Sequence, residues 1–361
     1  MNAYARGTDL SVSLTAALAR VPECLADARA RRSLLAIGRM LPGILASGPM
    51  GLELRLAGPS TVDFFAAAIP GTPGFAALIS ALHNPPPAHP WANPQQALDL
   101  ATVLARWQRR EGMLPCVARY LLVEVDAPAT ADDLVAVPGI FLAPREARDV
   151  PRAGQLPNVF HRFIDATTSA TAELSGVWPD PATAQQLATI VKALPGEADI
   201  FAVGAMVSRA AGSSMRIAIR RLGAAGMDDL LQAMGRTRQA AMLHEFIHIT
   251  PANRRVLHFE IGPGAEQRVG LELLPSRDWQ QASAAGWPEL LDDLVARGVA
   301  DADRAAVVTA LIDAEGDPLW GLAHVKVAAD ASGVLPVAKL YVGLLQRNQA
   351  ATGTGGTDEM A

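Results

Sequence analysis

GLAHVKVAAD (residues 321–330), a break at Ser332-Gly333, and LPVAKLYVGLL (335–345) decide the fold of this 361-residue chain. In both arms alternate positions are apolar: Val325 and Val327 in the first, Leu340, Val342 and Leu344 in the second. His324, Lys326, Lys339 and Tyr341 occupy the positions between. Successive side chains of a strand point to opposite faces, so each arm has one dry and one polar face, and the small polar break joins them as a hairpin. A two-residue turn at Ser332-Gly333 sets Ala331 against Val334. Counting outward, Lys326 then faces Lys339 and His324 faces Tyr341. Like charges directly opposed across a strand pair cost up to about 1 kcal/mol. Of the 31 basic residues only Lys192, Lys326 and Lys339 are lysines, so two of three sit in this hairpin. An anion held between them accounts for the pairing, because ammonium groups suit a phosphate treated as a point charge. The other reading is that both heads reach solvent or pair with Glu260, Glu272 or Asp330.

The same pattern recurs four times upstream. GLELRLAG (51–58) runs through Pro59-Ser60 into TVDFFAAAIPG, and ARYLLVEVDA (118–127) precedes VPGIFLAP. DIFAVGAMVSR (199–209) turns at 210–212 into SSMRIAIRRLG, and RRVLHFEIG (254–262) turns at Pro263-Gly264 into QRVGLELLPS. Helical patterns fill the gaps: two within 9–45, broken near Pro22 or Arg31, then Asn93-Pro94 to Arg110, Asp180-Pro181 to Leu194, and Met227 to Ile249 with a break at Gly235. Asp278 to Arg297 and Asp301 to Ala314 form a last pair. HNPPPAHP (83–90) and much of 144–179 read as loops. The cluster Arg29, Arg31, Arg32 and Arg39 reads as a solvated helix face.

The expected fold class is α+β, a ten-stranded antiparallel β-barrel built from five hairpin-plus-helix units, helices outside and a polar lumen. Residues 1–50 form N-terminal helices packed on it, 51–348 the barrel, and 349–361 a disordered tail. Glu53, Arg55, Glu124, Arg216, Arg220, His258 and Glu260 join the hairpin's polar residues on the lumen face. A five-fold αβ propeller of the guanidino-group-modifying kind is the competing five-unit solution. It wants a nucleophilic cysteine with a histidine and carboxylates, which neither Cys24 nor Cys116 offers.

Composition excludes whole classes. A hydrophobic share of 50% rules out general disorder. A net charge of -5 gives no global attraction to phosphate backbones, so nucleic acid is not an expected partner. No apolar run approaches the roughly 20 residues that span a bilayer, and the N-terminus is amphipathic, so no membrane partner and a cytoplasmic location are expected. Two cysteines build neither a disulfide framework nor a Cys-rich zinc site. No Gly-rich phosphate loop is present.

Five hairpin-plus-helix units around a polar lumen, with Lys339-Leu340-Tyr341 on the last strand, resemble the αββα (ABBA, PT-barrel) aromatic prenyltransferases. The resemblance implies transfer of an allylic isoprenoid from its diphosphate to an aromatic acceptor. It implies diphosphate binding by Arg55, Arg216, Lys326 and Lys339, with Tyr341 shielding the allylic cation. One carboxylate must take the ring proton, and Glu53, Glu260 and Glu124 all qualify. Arg220, His258 and His324 are further lumen candidates. The chain departs from the family in having only three tyrosines. No cofactor is required in this reading; Mg²⁺ stays open, since Asp228-Asp229 and Asp292-Asp293 are not a D-D-x-x-D motif. YLLVEVD, VGLELLP and HVKV…AKLYVGL also resemble uncharacterised bacterial proteins linked to modified-peptide biosynthesis, which implies a precursor peptide as acceptor, alkylated at Trp or Tyr. A non-catalytic peptide-binding barrel is the corresponding binding-only alternative.

One motif points elsewhere. His244-Glu245-Phe246-Ile247-His248 fits H-E-x-x-H, in which two histidines one helical turn apart bind zinc and the glutamate acts as base. The alternative function is therefore a zinc metallopeptidase using His244, His248 and Glu245. Against it, Leu243, Phe246 and Ile247 define the helix's apolar stripe, putting both histidines on the solvated face.

Overall fold

The computed structural model describes residues 9–87, 89–128, 130, 133–144, 157–176, 178–205, 215–249, 255–262, 268–275, 286–313, 320–330, 332 and 337–344. The tail expected at 349–361, the turns expected at 210–212 and 263–264, and the start of the helix expected from Asp278 lie outside the described residues. The strands are β1 (Met50–Arg55), β2 (Val62–Ala68), β3 (Ala118–Val125), β4 (Gly139–Pro144) and β5 (Asp199–Ala205). They continue as β6 (Met215–Arg220), β7 (Arg255–Ile261), β8 (Val269–Leu273), β9 (Trp320–Ala329) and β10 (Lys339–Leu344). Each pairs antiparallel with its chain neighbours and β10 pairs with β1, closing a ten-stranded barrel. Closure leaves no free strand edge, and it excludes the propeller.

Helices enter between hairpins. α1 (Ser11–Leu18) and α2 (Ala28–Met40) precede β1; α3 (Pro73–His83), α4 (Pro94–Gln108) and the single turn α5 (Leu114–Val117) join β2 to β3. α6 (Pro157–Ser175) and α7 (Pro181–Ala193) join β4 to β5, and α8 (Ala224–Ala233) and α9 (Thr237–Ile247) join β6 to β7. α10 (Trp287–Ala296) and α11 (Ala302–Asp313) lie between β8 and β9. Their apolar stripes cover the outward faces of the strands, so Leu52, Leu54, Ile217, Ile219, Val325, Val327 and Leu340 are buried in one continuous core.

Three helices start by one local device, a capping side chain followed by proline at the first helical position. Thr72 accepts from Phe75 N–H, Asn93 from Gln96 N–H and Asp180 from Thr183 N–H. Two elements correct the sequence reading. α3 was not anticipated, and α6 occupies a stretch read as loop. The α6 sequence is rich in Thr and Ser, which are poor helix formers in isolation. Buried Thr167 and Thr171 return their hydroxyls to the carbonyls four residues back, and packing on α4, β4 and β5 holds the helix. Arg31 lies inside α2 and donates to the carbonyls of Leu18, Val21 and Ala26. It therefore stitches α1 to α2, instead of breaking the helix or joining a solvated face.

Candidate active site

The strand register assembles the site. Around one ring of the barrel the pairing runs Arg55↔Lys339↔Lys326↔Glu272, and around the next Asp63↔Glu53↔Tyr341↔His324. Lys326 thus faces Lys339 and His324 faces Tyr341, as the turn at Ser332-Gly333 predicts. The lysines relieve their repulsion by turning to different carboxylates. Lys339 Nζ and the Tyr341 hydroxyl each donate to one oxygen of Glu53. Lys326 Nζ lies 3.7 Å from Glu272 and, among the described residues, makes no hydrogen bond. Glu272 also has His258 Nε2 at 2.6 Å and His324 Nε2 at 3.5 Å.

Aromatic rings stand beside these charges. His324 stacks on Tyr341 with centroids 4.2 Å apart and planes at 19°, and the Phe65 ring is 5.8 Å from Tyr341. Phe65 lies over Gly51, where an added Cβ would fall 2.2 Å from the ring. Arg216 reaches Glu260 at 2.7 Å and Glu124 at 3.4 Å, with its guanidinium 5.3 Å above the Phe141 ring.

A cavity of about 540 Å³, counted with the solvent at its mouth, lies at the hairpin-turn end of the lumen. Its charged lining is divided. Glu53, Asp63, Glu124 and Asp126 come from β1 to β3 and the residue just beyond, while Arg216, Arg268, Lys326 and Lys339 come from the arc of β6 to β10. Toward the other end of the lumen Ala202, Ala218 and Val256 form a small apolar cluster with Phe201 and Leu274. Arg220 belongs to that end. It forks onto Asp199 at 3.1 and 3.3 Å and lies over Phe201, so it is not part of the cavity.

Burial and pairing set the protonation states. Burial opposes ionisation of Glu53, yet Lys339 and the Tyr341 hydroxyl hold it at about 2. Asp63 is pushed up to about 7 by burial and by the Glu53 carboxylate, with Lys339 and the Ala127 N–H pulling the other way. Burial also raises Glu124, against the pull of Arg216. Glu272 is held well below the usual carboxylate range, the neighbouring histidines outweighing its burial. Burial lowers Lys326 despite Glu272, and burial with Glu53 beside it keeps the Tyr341 phenol protonated.

The structure therefore brings Glu53, Glu124, Arg216, His258, Glu260, His324, Lys326, Lys339 and Tyr341 into one lumen. Arg55 is paired in register with Lys339, but its side chain does not line the cavity. Sequence reasoning missed Asp63, Phe65 and Arg268, and did not place Glu272 among the lumen candidates. The signal for the first two was present: in TVDFF the period of two puts Asp63 and Phe65 on the polar face.

The H-E-x-x-H residues lie elsewhere. His244 and His248 are exposed at the end of α9 with rings 5.4 Å apart. His244 Nδ1 is 3.4 Å from Asp228, and Glu245 pairs with Arg297 at 3.2 Å. Among the described residues no group of three or more His, Cys, Asp or Glu side chains is placed to hold a metal ion. No helix of the described residues is long and apolar enough to cross a membrane.

No protein-family model matches the chain, and no curated protein matches it. Among solved structures it is similar to AnaPT from Neosartorya fischeri, at 14% identity and a TM-score of 0.47 over 82% of this chain and 77% of that one. It is similar also to 5-dimethylallyltryptophan synthase from Streptomyces coelicolor, at 12% identity and a TM-score of 0.47 over 93% and 97%. Likenesses at that level say nothing about this chain's chemistry, which rests on the lumen itself.

Proposed function

We propose that this protein transfers an allylic isoprenoid from its diphosphate to an electron-rich aromatic acceptor inside the barrel. The observation that carries this reading is Lys326. Its ammonium is buried, lines the cavity, stands opposite a second lysine and, with the Glu272 carboxylate 3.7 Å away, makes no hydrogen bond among the described residues. A buried ammonium left with open donors is costly unless an anion takes them. The diphosphate fits the basic arc of Lys326, Lys339, Arg216 and Arg268, which stabilises the charge that develops on the leaving group. The Tyr341 ring, fixed by Glu53 and His324, presents an aromatic face to the allylic cation. The acceptor enters from the hairpin-turn end, where a side chain of a peptide reaches the lumen as readily as a small molecule.

Calorimetric titration with a non-hydrolysable dimethylallyl diphosphate analogue tests the reading. Saturable binding is expected in the wild type and is expected to vanish in a Lys326→Ala, Lys339→Ala double variant whose melting remains cooperative. Equal affinity in the two proteins would overturn it.

A further inference from the structure

The lumen carboxylates are not equivalent. Glu53 has both oxygens engaged, one by Lys339 and one by Tyr341. Glu124 and Glu260 share Arg216, and Glu272 carries His258, His324 and Lys326. Each of these four has a cation or imidazole partner that would have to let go before a proton could be taken up, although burial raises Glu124 even so. Asp63 differs. Its Oδ1 accepts from Ala127 N at 2.8 Å, and among the described residues its other oxygen has no hydrogen bond and no cation pairs with it. It lines the same cavity as Lys326, Lys339 and Tyr341.

We propose that Asp63 is the catalytic residue that accepts the proton lost from the alkylated ring, an assignment that rests on the alkyl transfer proposed above. In the step, the C–O bond to the diphosphate breaks and its electron pair leaves on oxygen. A ring π pair forms the new C–C bond. The C–H bond at that ring carbon then returns its pair to the ring, and the proton passes to the open oxygen of Asp63. The groups facing Asp63 suit this duty. Burial, Glu53 on β1 and Asp126 just beyond β3 favour proton uptake, while Lys339 on β10 and the Ala127 N–H oppose it; Glu124 on β3 and Lys326 on β9 line the same cavity. Tyr341 on β10 stays protonated and neutral. The balance leaves Asp63 near 7, the range in which a general base combines availability with driving force. Asp63 must be ionised to act, so the rate should rise with pH through that value.

The test uses the full chain with dimethylallyl diphosphate and four acceptors, tryptophan and tyrosine, each free and within a short peptide. The wild type is expected to show an acidic limb in kcat near pH 7. Asp63→Asn should lower kcat at pH 8 by roughly 100-fold or more and abolish that limb. Asp63→Glu should restore part of the rate with a displaced limb. Affinity for the non-hydrolysable analogue should stay within about threefold in both variants, since the diphosphate lies on the other arc. Near-normal kcat in Asp63→Asn, or a loss explained by analogue affinity, would overturn the assignment alone. So would analogue binding without product from any of the four acceptors. Failure of the wild type to bind the analogue would instead sink the underlying reading.

Discussion

Gly270 provides the room that Lys326 occupies. A Cβ there would stand 2.8 Å from Lys326 Cε and 3.5 Å from His258 Cβ. The nearer atom belongs to a flexible stem, so Gly270→Ala should leave the fold intact and push the ammonium off its place. Affinity for the diphosphate analogue should fall roughly tenfold, the worth of one hydrogen bond to a charged group. Titration calorimetry beside a thermal melt separates that outcome from unfolding, and unchanged affinity would show that Lys326 has slack. At this scale the sequence was a good guide to the residue types. The rarity of lysine and the register counted from Ser332-Gly333 located both lysines. Neither could reveal that the two ammoniums part company, one to Glu53 and one toward Glu272, because those partners arrive from β1 and β8.

At the scale of elements, the site depends on how closely β1, β2 and β10 approach. Gly51 lies between Phe65 on β2 and Gly343 on β10. An alanine Cβ would fall 2.2 Å from the Phe65 ring and 2.3 Å from the Val342 carbonyl. The carbonyl belongs to a closed ladder and cannot swing away. Gly51→Ala is therefore expected to destabilise by about 2–3 kcal/mol, seen as a lower denaturant midpoint, and to move Phe65 off Tyr341. A midpoint within error of the wild type would mean that the barrel breathes more here than its register suggests. The helices show the limit of periodicity. The stripe Leu243, Phe246 and Ile247 turned His244 and His248 outward as expected, which separates the H-E-x-x-H motif from the lumen. α6 carried no comparable signal, since its stability comes from burial of threonines against neighbours distant in sequence.

Taken whole, the molecule stores opposed pH responses in one lumen. Glu53 and Glu272 are held below their ordinary values. The stability they contribute is present above the unfolded carboxylate range and is lost as pH falls toward 2. Asp63 works in the opposite sense. Its folded value near 7 lies above its unfolded one, so the stability it contributes is full below about pH 4 and is lost as pH rises through 7. Asp63→Asn should accordingly be about as stable as the wild type at pH 4 and more stable at pH 8, by about 4 kcal/mol. Thermal melts at the two pH values check this. A variant no more stable at pH 8 than the wild type would show that Asp63 ionises without penalty.

By itself the sequence determined the five hairpins, the division of each strand into a dry and a polar face, and the pairing of the last two strands. Those features depend on alternation, turn residues and caps, all local in the chain. Only the tertiary structure decided which polar residues share a cavity. Closing β10 onto β1 brings Lys339 and Tyr341 to Glu53, while at the opposite end Arg220 turns to Asp199 across the β5–β6 pair and Asp63, among the described residues, has no cation paired with it. Contacts between strands far apart in sequence are set by the register and tilt of the closed barrel, and no local pattern encodes them.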